Sequence, residues 1–269
     1  MGQGIAIALV GAGHPVTLLA RTPRPLPPPL AVHAGSWDAA TRNAWIILVA
    51  TPDDAIEVAA RALLDRGAVR ATHTVLHLSG LLDRRALAPL EPTGAALGSF
   101  HPLQSVADPQ SAGERLAGAY AALEGDEGAV RGGERLAAAL GMHPLRLSAD
   151  AKVRYHAGAV MAANYSLALV GVAERLAQAA GVPADVAARM YLPLLQGTAA
   201  NAVALGVRGA LTGPVRRGDV ATIRRHLGAL DTADRELYRA AGRAALALAR
   251  DAGMDEIAAR RVEDALTAD

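Results

Sequence analysis

Lys152, Tyr155 and His156 stand at positions i, i+3 and i+4, so a helix through them carries all three on one face. Asn164 comes two turns later, about 80° round from His156 at helical periodicity. A cation, a phenol, an imidazole and an amide entering an otherwise apolar helix need partners. That pattern suits a substrate-facing stripe, with a structural polar network as the competing reading. Lys152 is the only lysine in a chain of 27 Lys and Arg residues. Where arginine serves every other cationic position, one lysine suggests a specific role. His101 precedes Pro102, which holds its backbone extended. It could donate a proton or orient a carboxylate, and a bond to a backbone carbonyl is the structural alternative. Gln104 is a neutral partner in the same loop. The tight Thr212-Gly213-Pro214 loop leads to Arg216 and Arg217, of which Arg217 could clamp an anionic substrate, a solvated helix connection being the alternative. His101, Lys152, His156 and Asn164 are thus the catalytic candidates, and Gln104, Thr212 and Arg217 the substrate candidates. The other histidines show no metal-ligand spacing and cysteine is absent, so no metal is expected.

These groups need a scaffold, and its composition is restrictive. The 269 residues are 52% hydrophobic, enough for two cores. A net charge of +1 offers no field to hold a polyanion, so nucleic acid is not an expected partner. No basic region with a cleavage site opens the chain, and the cytoplasm is the default compartment. The charge-free run Ala157–Ala173 is shorter than the ~20 residues that span a bilayer and contains Asn164, Tyr165 and Ser166; it predicts a buried core helix, not a membrane span. A helix so apolar on every broad face also predicts a homodimer through the helical half.

The first half alternates short apolar runs with helical stretches. Strands are predicted at Val16–Ala20, Trp45–Ala50, His73–Leu78, Ala95–Phe100 and Ala119–Leu123, with a helix over Asp54–Leu64. Alternation of this kind implies βαβ crossovers and a mostly parallel sheet. Thr22–Pro29 holds five prolines and reads as a loop. After Leu147 the pattern becomes helical: Lys152–Gly181, Pro183–Leu205, Val220–Leu230 capped by Asp219, and Thr232–Ala252. The expected organisation is an α/β Rossmann-type domain over 1–147 and an all-α substrate or dimerisation domain over 148–269.

A dinucleotide-binding fold opens with a strand, a Gly-x-Gly-x-x-Gly turn and a helix. Here Gly2 to Gly11 reads as that helix. Gly11-Ala12-Gly13 lacks a third glycine at position 16 and a following helix, so it reads as a helix stop. Gly2 fits the last glycine of a fingerprint whose earlier positions, with the first strand, are expected upstream of Met1. Without a central strand, neighbouring strands would leave unpaired backbone groups at roughly 1–3 kcal/mol each, and weak dinucleotide binding by the 269-residue chain is expected. Thr51 and Pro52 follow one strand and Ser79 and Gly80 another, so these four are expected to line the cofactor. Arg21 and Thr22 follow the Val16 strand where NAD enzymes carry an acidic ribose ligand. A guanidinium matches a 2′-phosphate, so NADP is the expected cofactor.

Several segments together resemble a known family: Ala50-Thr51-Pro52-Asp53-Asp54, Leu78-Ser79-Gly80, Phe100-His101-Pro102-Leu103-Gln104-Ser105, Tyr155-His156-Ala157, Asn164, and Leu211-Thr212-Gly213-Pro214 with Arg217-Gly218-Asp219. The chain is similar to Rossmann-like proteins whose C-terminal half is the domain of unknown function 2520. These are grouped with deazaflavin-dependent NADP oxidoreductases and are similar in fold to 6-phosphogluconate dehydrogenase, ketopantoate reductase and pyrroline-5-carboxylate reductase. The resemblance implies hydride transfer to or from a small carbonyl or imine acid, with NADP or a deazaflavin as hydride partner. One departure stands out. Ketopantoate and hydroxyacid reductases carry a lysine four residues before an asparagine, and here that position is Val160. This leaves open a non-catalytic dinucleotide-binding or sensor protein.

NADP(H) is expected to bind more tightly than NAD(H), and Arg21→Asp to remove the preference; equal affinities of the unsubstituted protein in parallel titrations would overturn the assignment.

Overall fold

The computed structural model describes residues 1–20, 30, 32–33 and 36–268. Arg21, Thr22 and the proline-rich stretch through Pro29 lie outside the described residues. The chain divides into two compact units, Met1–Asn164 and Tyr165–Asp269, while its strands end at Arg146.

In the first unit α1 (Gly2–Gly11) stops at Ala12, as its glycines suggest. Then come α2 (Trp37–Thr41), β1 (Ile46–Val49), α3 (Ile56–Asp65), β2 (Thr74–His77), β3 (Ala96–Pro102), α4 (Ala112–Leu116), β4 (Tyr120–Gly125), α5 (Glu127–Ala139), β5 (His143–Arg146) and α6 (Lys152–Val160). The strands form one sheet in the order β1-β2-β3-β4-β5. β1, β2 and β3 are mutually parallel, β4 runs antiparallel to β3, and β5 is parallel to β4.

Four expected strands are present, and the differences have physical causes. Val16–Ala20 makes only a single parallel bridge, Leu18 to Val32, because no longer ladder among the described residues meets it. The β3–β4 connection contains only a 3-10 turn and the five-residue α4, so the chain returns beside β3 without a crossover. β5 was not expected. Its His-Pro-Leu-Arg sequence has no apolar run and all four residues are exposed, as an edge strand carrying a proline can be.

Side chains alternate across the sheet. Leu76, Phe100, Ala121 and Leu123 face one core with Ile5 of α1 and Leu136 of α5. Ile47, Val49, Val75 and Leu97 face the other with Ile56, Ala60 and Leu63 of α3. On this second face, toward the carboxyl ends of β2 and β3, apolar residues give way to polar ones.

The second unit comprises α7 (Ser166–Ala179), α8 (Ala184–Met190), α9 (Leu192–Ala210), α10 (Gly213–Arg217), α11 (Val220–Ala229), α12 (Thr232–Asp251) and α13 (Glu256–Thr267). Val215, Ile223, Leu227, Leu246, Val262 and Leu266 form its core. Asp219, Asp231 and Asp255 accept backbone N–H groups at the starts of α11, α12 and α13. The single helix expected over Pro183–Leu205 breaks at Tyr191, where Pro193 sits in the first turn of α9. α10 and α13 were not expected.

The expectation of a buried core helix over Ala157–Ala173 is overturned. Ala149–Ala179 is long and apolar enough to cross a membrane by length and composition, and its most apolar window is not buried. Met161, Leu167 and Leu194 are each more than 60% exposed. Absence of charge signalled apolar surroundings, but no element of this chain covers those side chains.

Phe100, the only phenylalanine, is 0% exposed between Ser99 and His101. Phe100→Ala is expected to destabilise the protein by about 3–5 kcal/mol, and Phe100→Leu by much less, in urea unfolding followed by circular dichroism.

Candidate functional site

The polar cluster lies on the first unit, and strand register assembles it. His77 of β2 is opposite Ser99 of β3, and Ser99 is opposite Glu124 of β4. All three are buried, at 0%, 1% and 5% exposure. Lys152, in the first turn of α6, adds an ammonium that is itself buried. Its Nζ donates to Ser99 Oγ at 2.7 Å and to the Ser79 carbonyl at 3.1 Å. Ser99 Oγ donates onward to Glu124 Oε2 at 3.1 Å, while the Arg84 amide donates to Oε1 at 3.3 Å. Both carboxylate oxygens therefore accept, as an ionised group requires.

The turn after β2 is fixed from several directions. Ser79 Oγ donates to Asp53 Oδ2 at 2.7 Å and accepts from the amides of Leu81 and Leu82. The Ser79 amide donates to His77 Nδ1 at 3.2 Å, so His77 carries its proton on Nε2 and donates it to the Asp83 carbonyl at 3.0 Å. Gly80 follows with no side chain, and the space is used. A Cβ there would lie 2.7 Å from His156 Nδ1 and 2.8 Å from His101 Nε2. His101 and His156 meet edge to face with centroids 5.9 Å apart, and Tyr155 packs edge-on against His101 at 5.6 Å. Tyr155 OH lies 3.0 Å from His101 Nδ1.

Electrostatics follow from burial. Burial, opposed mainly by the bond to the Asp83 carbonyl, pushes His77 down to about 4. Burial, then the Lys152 charge and His156, brings His101 down to about 4. Burial lowers Lys152 to about 8 against the pull of Glu124, Asp83 and Asp53. Burial raises the Tyr155 phenol to about 12. At neutral pH this is one ammonium among neutral hydrogen-bonding rings.

The helical spacing brings Lys152, Tyr155 and His156 to one side, with His101 and the Ser79–Gly80 turn. Lys152 is spent on Ser79 and Ser99, and the Ser79 hydroxyl on its own turn, so neither side chain stands open to a ligand. Asn164 falls in a π-helical turn, Met161–Tyr165, and is exposed; the extra residue per turn breaks the 100° phase that linked it to His156. Gln104 is bonded to the Arg115 carbonyl and the Ser105 amide. Thr51 and Pro52 are exposed at the end of β1. Gly2 packs there too: a Cβ on it would meet Ala50 Cβ at 2.4 Å. Thr212 caps α10 and Arg217 ends it, both in the second unit. Sequence reasoning missed His77, Ser99 and Glu124. Two signals pointed to them: Ser99 shares a strand face with His101, and Glu124 interrupts an apolar strand.

Beside the turn a groove is lined by Asp53, Asp54, Glu57, Asp83, Asp150 and Arg85. Its excess of carboxylates makes it hostile to a phosphate. No group of three or more metal-binding side chains occurs among the described residues.

Residues 119–245 match the family described as Domain of unknown function (DUF2520). No curated protein matches the chain. Among solved structures, protein TM1727 of Thermotoga maritima is 26% identical over 76% of this chain and 78% of its own, with a TM-score of 0.62. A Bacteroides fragilis protein named as a candidate NADP oxidoreductase is 21% identical over 90% and 93%, with a TM-score of 0.64. A pyrroline carboxylate reductase of Plasmodium falciparum, solved with NADP bound, is 10% identical over 99% and 95%, with a TM-score of 0.57. The chain is a Rossmann-like protein carrying a DUF2520 region, as its motifs suggested.

In the unfolded chain His77 and His101 take up protons near 6.5, but in the folded chain only near 4. The unfolded state therefore binds more protons between these values, and stability is expected to fall as pH drops from about 6.5 to 4. For fully buried His77 the loss at pH 5 is roughly 2 kcal/mol. Urea unfolding at pH 7 and pH 5 checks this, and an unchanged midpoint would contradict the neutral assignment.

Proposed function

We propose that the chain is an NADP-dependent oxidoreductase that moves a hydride to or from a small carbonyl or imine acid. The observation that carries this reading is the grouping of His101, Tyr155 and His156 round Gly80 at the carboxyl ends of parallel strands, where α/β sheets bind ligands. The contact of Gly2 with Ala50 supports a dinucleotide, because it brings the start of α1 against the end of β1, and Thr51, Pro52 and Gly80 belong to the same ends. Arg21 and Thr22 would select the 2′-phosphate. When bound, the nicotinamide supplies or accepts the hydride.

The protein's own part is orientation and one proton. Tyr155, kept protonated by burial, donates to His101 Nδ1, which leaves the His101 proton on Nε2. A neutral imidazole N–H of this kind polarises a carbonyl or imine nitrogen without bringing a net charge. His156, whose buried Nδ1 has no partner, is the second imidazole for the substrate. Asn164, Gln104, Thr212 and Arg217 are candidates for the substrate's outer polar groups. Lys152 acts on the same cluster from behind.

Homodimerisation belongs to this reading. Val203 and Val207 of α9 are 89% and 65% exposed, with Met161, Leu167 and Leu194 on neighbouring stretches of chain. Such surface is normally covered. A second copy suits it better than lipid, because Lys152, at the head of the same apolar stretch, is tied into the polar row of the sheet. A soluble, cytoplasmic enzyme follows.

The test is NADPH oxidation by the purified protein over a panel of 2-keto acids and cyclic imines. Turnover is expected on at least one, with His101→Ala and His156→Ala each losing about 10²-fold or more, and Asn164→Ala less. No turnover on any member despite NADPH binding favours the sensor reading. In light scattering at micromolar concentration a dimer is expected; a monomer would remove the second copy.

A further inference from the structure

The row His77–Ser99–Glu124 is deeper than anything the proposed chemistry touches, yet it is polar and continuous. Burying one carboxylate and one ammonium in a sheet core is costly unless both are paired and bonded. Here they are joined through a hydroxyl with a single proton to give: Lys152 Nζ to Ser99 Oγ at 2.7 Å, and Ser99 Oγ to Glu124 Oε2 at 3.1 Å. The other end of the ammonium holds the Ser79 carbonyl, and the next residue is the glycine against which both imidazoles rest. We propose that Ser99 and Glu124 are positioning residues: through the Ser99 hydroxyl, Glu124 anchors the Lys152 ammonium beneath the Ser79–Gly80 turn and so sets His101 and His156. The proposal rests on the reading of those imidazoles as substrate-handling groups, but its first consequence does not.

The groups that face Lys152 come from every neighbouring element. They are Glu124 of β4, Ser99 and His101 of β3, His77 of β2, Asp83 after it, and Asp53 before α3. Glu124 is the largest of the favourable charges on the ammonium. Without it Lys152 should lose its proton at a lower pH, and its hold on the turn with it.

The sole lysine allows a direct measurement. Protein labelled with ¹³Cε-lysine gives one side-chain signal, whose titration is read without substrate or cofactor. Glu124→Gln is expected to shift the Lys152 midpoint down by about one pH unit, tenfold in proton affinity. Ser99→Ala is expected to shift it in the same direction, and Glu124→Asp to restore part of the difference. With an identified substrate, kcat of Glu124→Gln should fall at least tenfold at neutral pH with KM for NADPH little changed, and its alkaline limb should move down with the lysine. An unmoved lysine midpoint in folded Glu124→Gln and Ser99→Ala overturns the anchoring. A moved midpoint with unchanged turnover overturns the positioning role alone. Loss of turnover in His101→Ala with intact anchoring, or absence of any turnover at all, is judged against the reading of the imidazoles. Should Glu124→Gln fail to fold, the Ser99→Ala titration decides.

Discussion

One buried ammonium organises the first unit. Removing an ammonium from water costs several kcal/mol even after relaxation, so its partners must be in place at once. Lys152 finds them on three successive pieces of sheet: the turn after β2, the middle of β3 and, through Ser99, β4. That demand fixes the register. A slip of one residue would send Ser99 into the Phe100 core and bring Phe100 to the lysine. The antiparallel run of β4 matters for the same reason, because it places Glu124 opposite Ser99. The first turn of α6 is bound to the sheet by the same bonds.

From that fixed point the imidazoles acquire their character. Lys152 lies close enough to His77 and His101 to oppose their protonation, in concert with burial. The cluster holds its charge on the amine and keeps its rings neutral. A neutral ring can serve as donor and acceptor together, whereas an imidazolium only donates. Gly80 completes the arrangement by having nothing to place between the rings and the turn.

The strands with long apolar runs were legible because burial on both faces leaves a strong local signature. β5 was not, since an exposed edge strand needs no such run. The grouping of Lys152, Tyr155 and His156 was legible from helical spacing alone. Their attachments were not, because Ser99 and Glu124 lie 25 residues apart in sequence and meet only through strand pairing. The Pro102 neighbour drew attention to His101, but nothing local announces that Gly80 is its contact. Asn164 was placed by assuming an unbroken α-helix, and the π-turn invalidates that phase. The exposed face of α7 and α9 shows a related limit: apolar composition states that a surface avoids water without saying what covers it.

The π-turn at Met161–Tyr165 also constrains how this sequence can change in length. It adds one residue to the turn that joins the segment bound to the sheet to the start of α7. Deleting a single residue there would leave a regular α-helix, but every later side chain would be rotated by about 100° relative to Lys152. An insertion would rotate them the other way. Surface loops absorb such length changes readily, whereas here one codon gained or lost would turn the apolar face of α7 toward different neighbours. Drift in this stretch should therefore proceed by substitution at constant length.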